Sequence, residues 1–317
     1  MNYIKMSPLT GMVGYGGGGT GIIIGGGSGP ILWYGDRGVN SMNNGTNVLD
    51  YIDITTPGNA TDFGDFVVQR ESAACASDGT RGCWGGGASS GDVKRNEIEY
   101  LAFATTGNAQ DFGDLTRVAW YPSATCDGTR GCHAGGYDGN NNDVIDYITI
   151  QTIGNSTDFG DLSAGNAQTG GCNDETRALL AGGPSTMTIL YWTIQTLGNS
   201  STFGNLTQSR GTLAGCGNTL RAVFTGGKNP DGNNVNTMDY VTIASTGNAS
   251  DFGDLTVGRR SVGATSNNTR GTTWCGYDGN LRDVIDYYTI QTTGNATDFG
   301  DATVARHACG AGSGSPS

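Results

Sequence analysis

A ten-residue string that recurs six times constrains this chain more than any other feature. It reads PGNATDFGDF from Pro57, TGNAQDFGDL from Thr106, IGNSTDFGDL from Ile153, LGNSSTFGNL from Leu197, TGNASDFGDL from Thr246 and TGNATDFGDA from Thr293. The second residues of these strings, Gly58, Gly107, Gly154, Gly198, Gly247 and Gly294, are spaced by 49, 47, 44, 49 and 47 residues. A unit of that length suits four short strands, and units that bury their faces only against neighbours form one body whatever the chain length.

Each string follows an apolar run, such as VLDYIDI, VIDYITI or VIDYYTI, with Tyr51, Tyr100, Tyr147, Tyr191, Tyr240 and Tyr287 in register. Upstream of the run a turn opens a strand that ends in glycines: GTRGCWGGG, GTRGCHAGG, ETRALLAGG, TLRAVFTGG and NTRGTTWCG, with ILWYG as the degenerate sixth. After each string comes a further strand, for example VGRRSVGATS from Val257. The 56 glycines and the gathering of Val, Ile, Thr and Tyr into short runs are the composition of strands joined by tight turns.

The first unit lacks its first strand, and only the segment from Val304 to Gly312 can supply it. The expected fold is therefore all-β: a six-bladed propeller of four-stranded blades, closed by pairing the C-terminal strand with the N-terminal blade beside Pro30 to Gly35. Two parts are expected, a glycine-rich N-terminal arm over 1–29 and the propeller over 30–317. The arm carries Met6, Met12, Val13 and three isoleucines, more apolar residues than a solvated linker needs.

The order of pieces resembles kelch repeats, in which a glycine pair, a tyrosine strand and a large aromatic follow one another. Gly135-Gly136, Tyr147 and Phe159 match that order, and the likeness covers roughly residues 30 to 312. Two departures stand out: the aromatic is Phe where kelch repeats carry Trp, and it lies further from the tyrosine. The GNATDFGDL string, the TRG turn and the glycine-rich leader look like kelch-like proteins encoded by tailed bacteriophages. That resemblance implies a virion protein, made in the host bacterial cytoplasm, that contacts other virion proteins through its arm and a host-surface glycan or protein through its propeller.

The repeated Arg81, Arg130, Arg177, Arg221 and Arg270 of the TRG turns match in number the repeated Asp65, Asp114, Asp161, Asp254 and Asp301. A planar guanidinium and a carboxylate recurring together predict a structural clamp. The fourth copy tests a strict pairing, because Asn205 replaces the acid while Arg221 persists. Asp50, Asp146, Asp239 and Asp286, each before a strand tyrosine, are expected to serve turns.

Residues that break the repeat are the candidates for contact with a ligand or partner. Trp33 and Trp274 are read as equivalent positions in blades that closure makes neighbours, and Trp120 with Tyr121 opens an inner strand where other copies carry small or polar residues.

The net charge of -12, with three lysines, excludes a nucleic-acid partner and an anionic membrane surface. No run approaches a membrane span, so no membrane insertion is expected. Only His133 and His307 are present, without a nucleophile or metal motif, so no enzyme is expected, and an enzyme on a propeller scaffold ranks third. His133 takes the place of Trp84, Leu180 and Phe224 and reads as a packed strand residue. No cofactor is expected. Calcium is the one metal the sequence raises, at Asp138 to Asp143, but the bidentate glutamate of a helix-loop-helix site is missing and a polar turn fits better. Cys126 with Cys132, and Cys75 with Cys83, are either hairpin bridges or buried thiols, the latter favoured. The first functional expectation is a non-enzymatic virion protein, a tail fibre, appendage or capsid decoration. The alternative is a secreted or surface glycan-binding propeller.

Overall fold

The computed structural model describes residues 33–43 and 46–316, so the expected arm Met1–Gly29 lies outside the described residues. Among these residues every regular element is a strand. Four antiparallel sheets have four strands each, in chain order. The first is Ala74–Ser77, Arg81–Gly85, Glu97–Ala102 and Gln110–Asp114; the second is Ser123–Cys126, Arg130–Ala134, Val144–Thr149 and Thr157–Asp161. The third is Gly170–Asn173, Arg177–Ala181, Thr188–Thr193 and Ser201–Asn205; the fourth is Ala214–Gly217, Arg221–Thr225, Thr237–Thr242 and Ser250–Asp254.

A seven-stranded sheet takes up both ends of the described chain. Its order is Gly263–Ser266, Arg270–Tyr277, Leu281–Thr289, Thr297–Gly314, Arg37–Asn43, Val48–Asp53 and Thr61–Asp65. The 18-residue strand Thr297–Gly314 divides its work: Thr297 to Asp301 pair with Tyr287 to Val284, whereas His307 to Gly314 pair with Asn43 to Arg37. The C-terminal strand thus does join the N-terminal part, but its partner is Arg37–Asn43 and not the 30–35 segment. The sixth copy of the TRG turn is Asp36-Arg37-Gly38, not ILWYG. The turn thus lies eight residues further along the chain than the equivalence of Trp33 with Trp274 requires.

The sheets stand in a propeller-like ring, with apolar cores sandwiched between successive faces. Leu179, Ile189 and Phe203 of the third sheet meet Ala222, Phe224 and Val241 of the fourth, and Val39, Leu49 and Phe63 of the seven-stranded sheet meet Trp84 and Leu101 of the first. Six such clusters occur among the described residues. Alternation in the tyrosine strands explains the sandwich, since one face of VIDYIT or TILYWT carries Ile145 or Ile189 into one core and the other carries Ile148 or Trp192 into the core on the opposite side.

The DFG motif is a β-bulge. Opposite the tyrosine strand, Asp158 pairs with Asp146 and Gly160 with Ile145, leaving Phe159 as the extra residue; all six copies shift register at this point. The bulged phenylalanine meets the strand tyrosine edge-on, with centroids 5.9 to 6.1 Å apart in every copy. The glycine after it permits close approach. A Cβ on Gly64, at φ +147°, would collide with the Gly107 carbonyl, because the neighbouring turn donates from Gly107 N–H to Phe63 O and from Ala109 N–H to Asp65 O.

The asparagine of each GN pair completes that contact. Asn108, Asn155, Asn199, Asn248, Asn295 and Asn59 accept, through Oδ1, the N–H of residues 65, 114, 161, 205, 254 and 301 in the preceding copy of the string, all at 3.1 Å. The cycle of contacts returns to its start.

Candidate binding site

The arginines of the turn strands do not pair with the aspartates after DFG. Arg81, Arg130, Arg177 and Arg221 donate to the carbonyls of Ile150, Ile194, Ile243 and Ile290, each on the next sheet, and Arg270 donates to Ile54 O and Thr55 O. Arg37, missed in the sequence, donates to Phe103 O and Ala104 O. Each guanidinium also lies over its own strand tyrosine, 4.4 to 5.0 Å from the centroid. Among the described residues no ion pair joins any of these arginines to Asp65, Asp114, Asp161, Asp254 or Asp301, which take part through their main chain. Asn205 therefore substitutes for the acid without disturbing Arg221.

The ionic clamps lie elsewhere. The aspartate before the tyrosine is buried, not a turn residue, and its partner is an arginine in the segment crossing from one sheet to the next. Arg210 meets Asp239 at 2.6 Å and Arg259 meets Asp286 at 2.9 Å, with no side-chain exposure on either partner. Arg117–Asp146, Arg70–Glu99 and the longer Arg306–Asp50 repeat the arrangement. Thr207 and Thr256 add both N–H and O–H to the same carboxylates, and the arginines donate onward to Gly226 O and Thr273 O. Burial pushes Arg70, Arg117 and Arg210 below, and Asp146 above, their ordinary values, while the opposite charges pull the arginines back. In the third sheet Leu190 replaces the acid, and there Asn166 replaces the arginine and donates to Gly182 O.

The crossing segments end in a ring of left-handed residues. Ser72, Tyr121, Gln168, Thr212, Ser261 and Ala308 all have φ between 54° and 59°, one at the head of each innermost strand. Their main chains are linked in series: Gln168 N–H donates to Tyr121 O, Thr212 to Gln168, Ser261 to Thr212, Ala308 to Ser261 and Ser72 to Ala308. These bonds hold a conformation that non-glycine residues seldom adopt.

Inside the ring runs a channel lined by the innermost strands, with a cavity of ≈ 160 Å³. Trp33 and Tyr34, edge to face at 5.1 Å, line it at the TRG-turn end, and Trp33 packs with Ala76 and Cys126. Trp274 is elsewhere. It is fully buried among Ile52, Ile285 and Phe299, donating Nε1–H to Thr272 Oγ1, so it cannot touch a ligand. Counting from Arg37, the counterpart of Trp274 is Ser41, and the structure does not bring the two tryptophans together.

The opposite mouth holds a wider basin of ≈ 550 Å³. Tyr121, Gln168, Lys228, Arg260, Tyr277 and His307 line it. Trp120 stacks on Tyr121 at 4.8 Å and 25°, and Arg260 lies 4.9 Å from the Tyr277 centroid. Of these residues the sequence had marked only Tyr121, with Trp120 beside it. The available signal was the position before each left-handed residue, where framework identity ends: Glu71, Trp120, Ala167, Gly211, Arg260 and His307. Four of these bridge to the residue following a glycine pair or its equivalent, Ala88, Tyr137, Lys228 and Tyr277, forming a variable rim.

The turn at Asp138 is bonded within itself. Asp138 accepts from Asn140 N–H and Asn142 Nδ2, and Asn142 accepts from Val144 N–H, the bonding of an ordinary polar turn. His133 is a packed strand residue whose Nε2 bonds Ala74 O. Cys75, Cys83, Cys126 and Cys132 form no disulfides; Gly131, not Cys132, faces Cys126, and Ala76, not Cys75, faces Cys83. Burial pushes the Cys126 and Cys132 thiols up to about 12, which leaves them unreactive.

These features define a class: a propeller-like all-β scaffold with a repeated framework and a variable polar-aromatic mouth. Compared with protein-family models and with curated proteins, the chain matches none.

Proposed function

We propose that this chain is a six-bladed, kelch-like propeller that acts as a non-enzymatic binding platform on the virion of a tailed bacteriophage, as a tail fibre, appendage or capsid decoration. The blade count rests on the two cycles of contacts, one from asparagine to main chain and one from arginine to carbonyl, each with six members. In this reading the seven-stranded sheet is two blades joined through Thr297–Gly314. The virion assignment rests on the resemblance of the repeat to phage-encoded kelch-like chains.

One observation carries the platform reading. The buried framework repeats nearly residue for residue, whereas the rim position at one mouth, half-buried in four copies and buried at Ala167 and Gly211, differs in all six copies. A surface free to vary on a rigid frame suits recognition. Density-gradient purification of the phage that encodes the chain tests the assignment: the protein should band with intact particles and appear in their mass spectra, and its recovery only in the soluble lysate would overturn it.

The second reading, a glycan-binding propeller of a secreted or cell-surface protein, is favoured by the tyrosines, cations and amides of the basin.

A further inference from the structure

We infer that the basin at the variable mouth binds a sugar bearing a single carboxylate, a hexuronic acid or its like. The inference deepens the platform reading and rests on it.

Charge is the first argument. Lys228 and Arg260 line the basin, no Asp or Glu is among the described residues that line it, and Glu71 stands beside it on the rim. Every other arginine of the crossing segments, at 70, 117, 210, 259 and 306, is committed to a buried acid. Arg260 follows Arg259 directly, so the sequence places a second guanidinium beside one already used and turns it to the opposite side of the segment. In a chain of net charge -12 with three lysines, two cations among the lining residues, against the carboxylate of Glu71 on the rim, give this basin a local positive excess.

Shape is the second. A basin of ≈ 550 Å³ lies in the range of small-ligand pockets, which spans about 300–1,000 Å³. The chain-wide negative charge disfavours an extended polyacidic peptide, whose further carboxylates would lie over acidic surface; a compact ligand with one charge avoids that repulsion.

Chemistry is the third. The rings of Tyr121 and Tyr277 offer apolar faces for the C–H side of a pyranose, while Gln168, Asn229, Ser185 and Ser261 supply donors and acceptors for hydroxyls. The stacking of Trp120 on Tyr121 and of Arg260 on Tyr277 fixes the two rings. The left-handed backbone at Tyr121, Gln168 and Ser261 is tied into the hydrogen-bonded series, so their side chains project from a rigid ring.

Calorimetric titration of the full chain with methyl glucuronide, methyl glucoside and a glutamate tripeptide tests the inference. The glucuronide should bind at least about tenfold more tightly than the uncharged glucoside, as expected for one charge-assisted contact, and more tightly than the peptide. Arg260→Gln and Lys228→Gln should each weaken the glucuronide by a similar factor at unchanged melting temperature. Equal affinity for glucuronide and glucoside, tighter binding of the peptide, or glucuronide affinity unaffected by both variants would overturn it. Loss of the protein from particles, with these affinities intact, would overturn the virion assignment and leave the sugar site standing.

Discussion

The buried acid before the strand tyrosine carries the strongest argument at the scale of the single residue. In the third sheet, Leu190 and Asn166 replace acid and arginine together, so the chain contains its own double substitution. Removing one partner of a buried pair strands the other charge, at a cost of about 3–5 kcal/mol. Asp239→Leu alone should therefore destabilise by that amount in denaturant unfolding, whereas Asp239→Leu with Arg210→Asn, the third-sheet combination, should recover most of it. A double variant as unstable as the single one would show that the pair's other bonds matter more than charge. His133 gives a pH effect. Burial pushes its pKa down to about 4 from 6.5, so between those values the unfolded chain takes up a proton that the folded chain refuses. Stability attributable to His133 is complete above 6.5 and falls on acidification towards 4, by about 1.4 kcal/mol per pH unit. His133→Leu, the residue at this place in the third sheet, should flatten that part of the acid limb when urea midpoints are compared at pH 7 and 4.5. The sequence revealed His133 as a core residue because three apolar counterparts share its position. It misled about the turn arginines for a related reason: two residue types that recur together look paired, while the true acceptors are main-chain carbonyls that leave no mark in a sequence.

At the scale of the element, the ten-residue string was legible as a repeat but not as a device. Its DFG is a bulge that turns phenylalanine onto tyrosine, and its glycines differ in role although they recur equally often. A Cβ on Gly253, at φ +142°, would collide with the Gly294 carbonyl, whereas a Cβ on Gly247 meets nothing within 4 Å. Gly253→Ala should accordingly lower stability by about 2 kcal/mol or more, and Gly247→Ala should stay within about 0.5 kcal/mol. Thermal unfolding of the two variants decides this, and equal effects would mean that the sheet-to-turn contact yields easily. The strand before Val48–Asp53 shows the opposite limit. Its turn is DRG where the others have an uncharged residue before the arginine, and its strand, RGVNSMN, ends without a glycine pair, so ILWYG, eight residues early, resembles the copy more closely. That likeness paired Trp33 with Trp274, when one lines the channel and the other fills a core. The binding mouth was illegible for a further reason: its residues come from five separate repeats, and only the ring of left-handed residues brings them together.

At the scale of the whole molecule, stability depends on how the ends meet. An open array of repeats loses its terminal unit first, because that unit has a neighbour on one side only. Here Thr297–Gly314 belongs to two groups of strands at once. Gly38↔Ser313, Val39↔Gly312, Asn40↔Ala311 and Ser41↔Gly310 are main-chain pairings, and Ser41 Oγ and Ser77 Oγ add bonds to the Gly310 and Ser313 carbonyls. Opening the ring there requires a whole ladder to break together with the core that joins Ile52 and Ile54 to Trp274 and Ile285. A chain ending at Ala302 keeps the pairing of Thr297 to Asp301 with Leu281–Thr289 and loses everything that joins this segment to Arg37–Asn43. The shortened chain should remain folded through the four separate sheets, yet its amides from Arg37 to Asp65 should exchange with solvent far faster than those of Arg177–Ala181, whereas in the full chain the two sets should be protected alike. Hydrogen exchange read by mass spectrometry separates the possibilities. Equal protection of both regions in the shortened chain would mean that side-chain packing alone closes the ring and that the shared strand adds nothing to its cohesion.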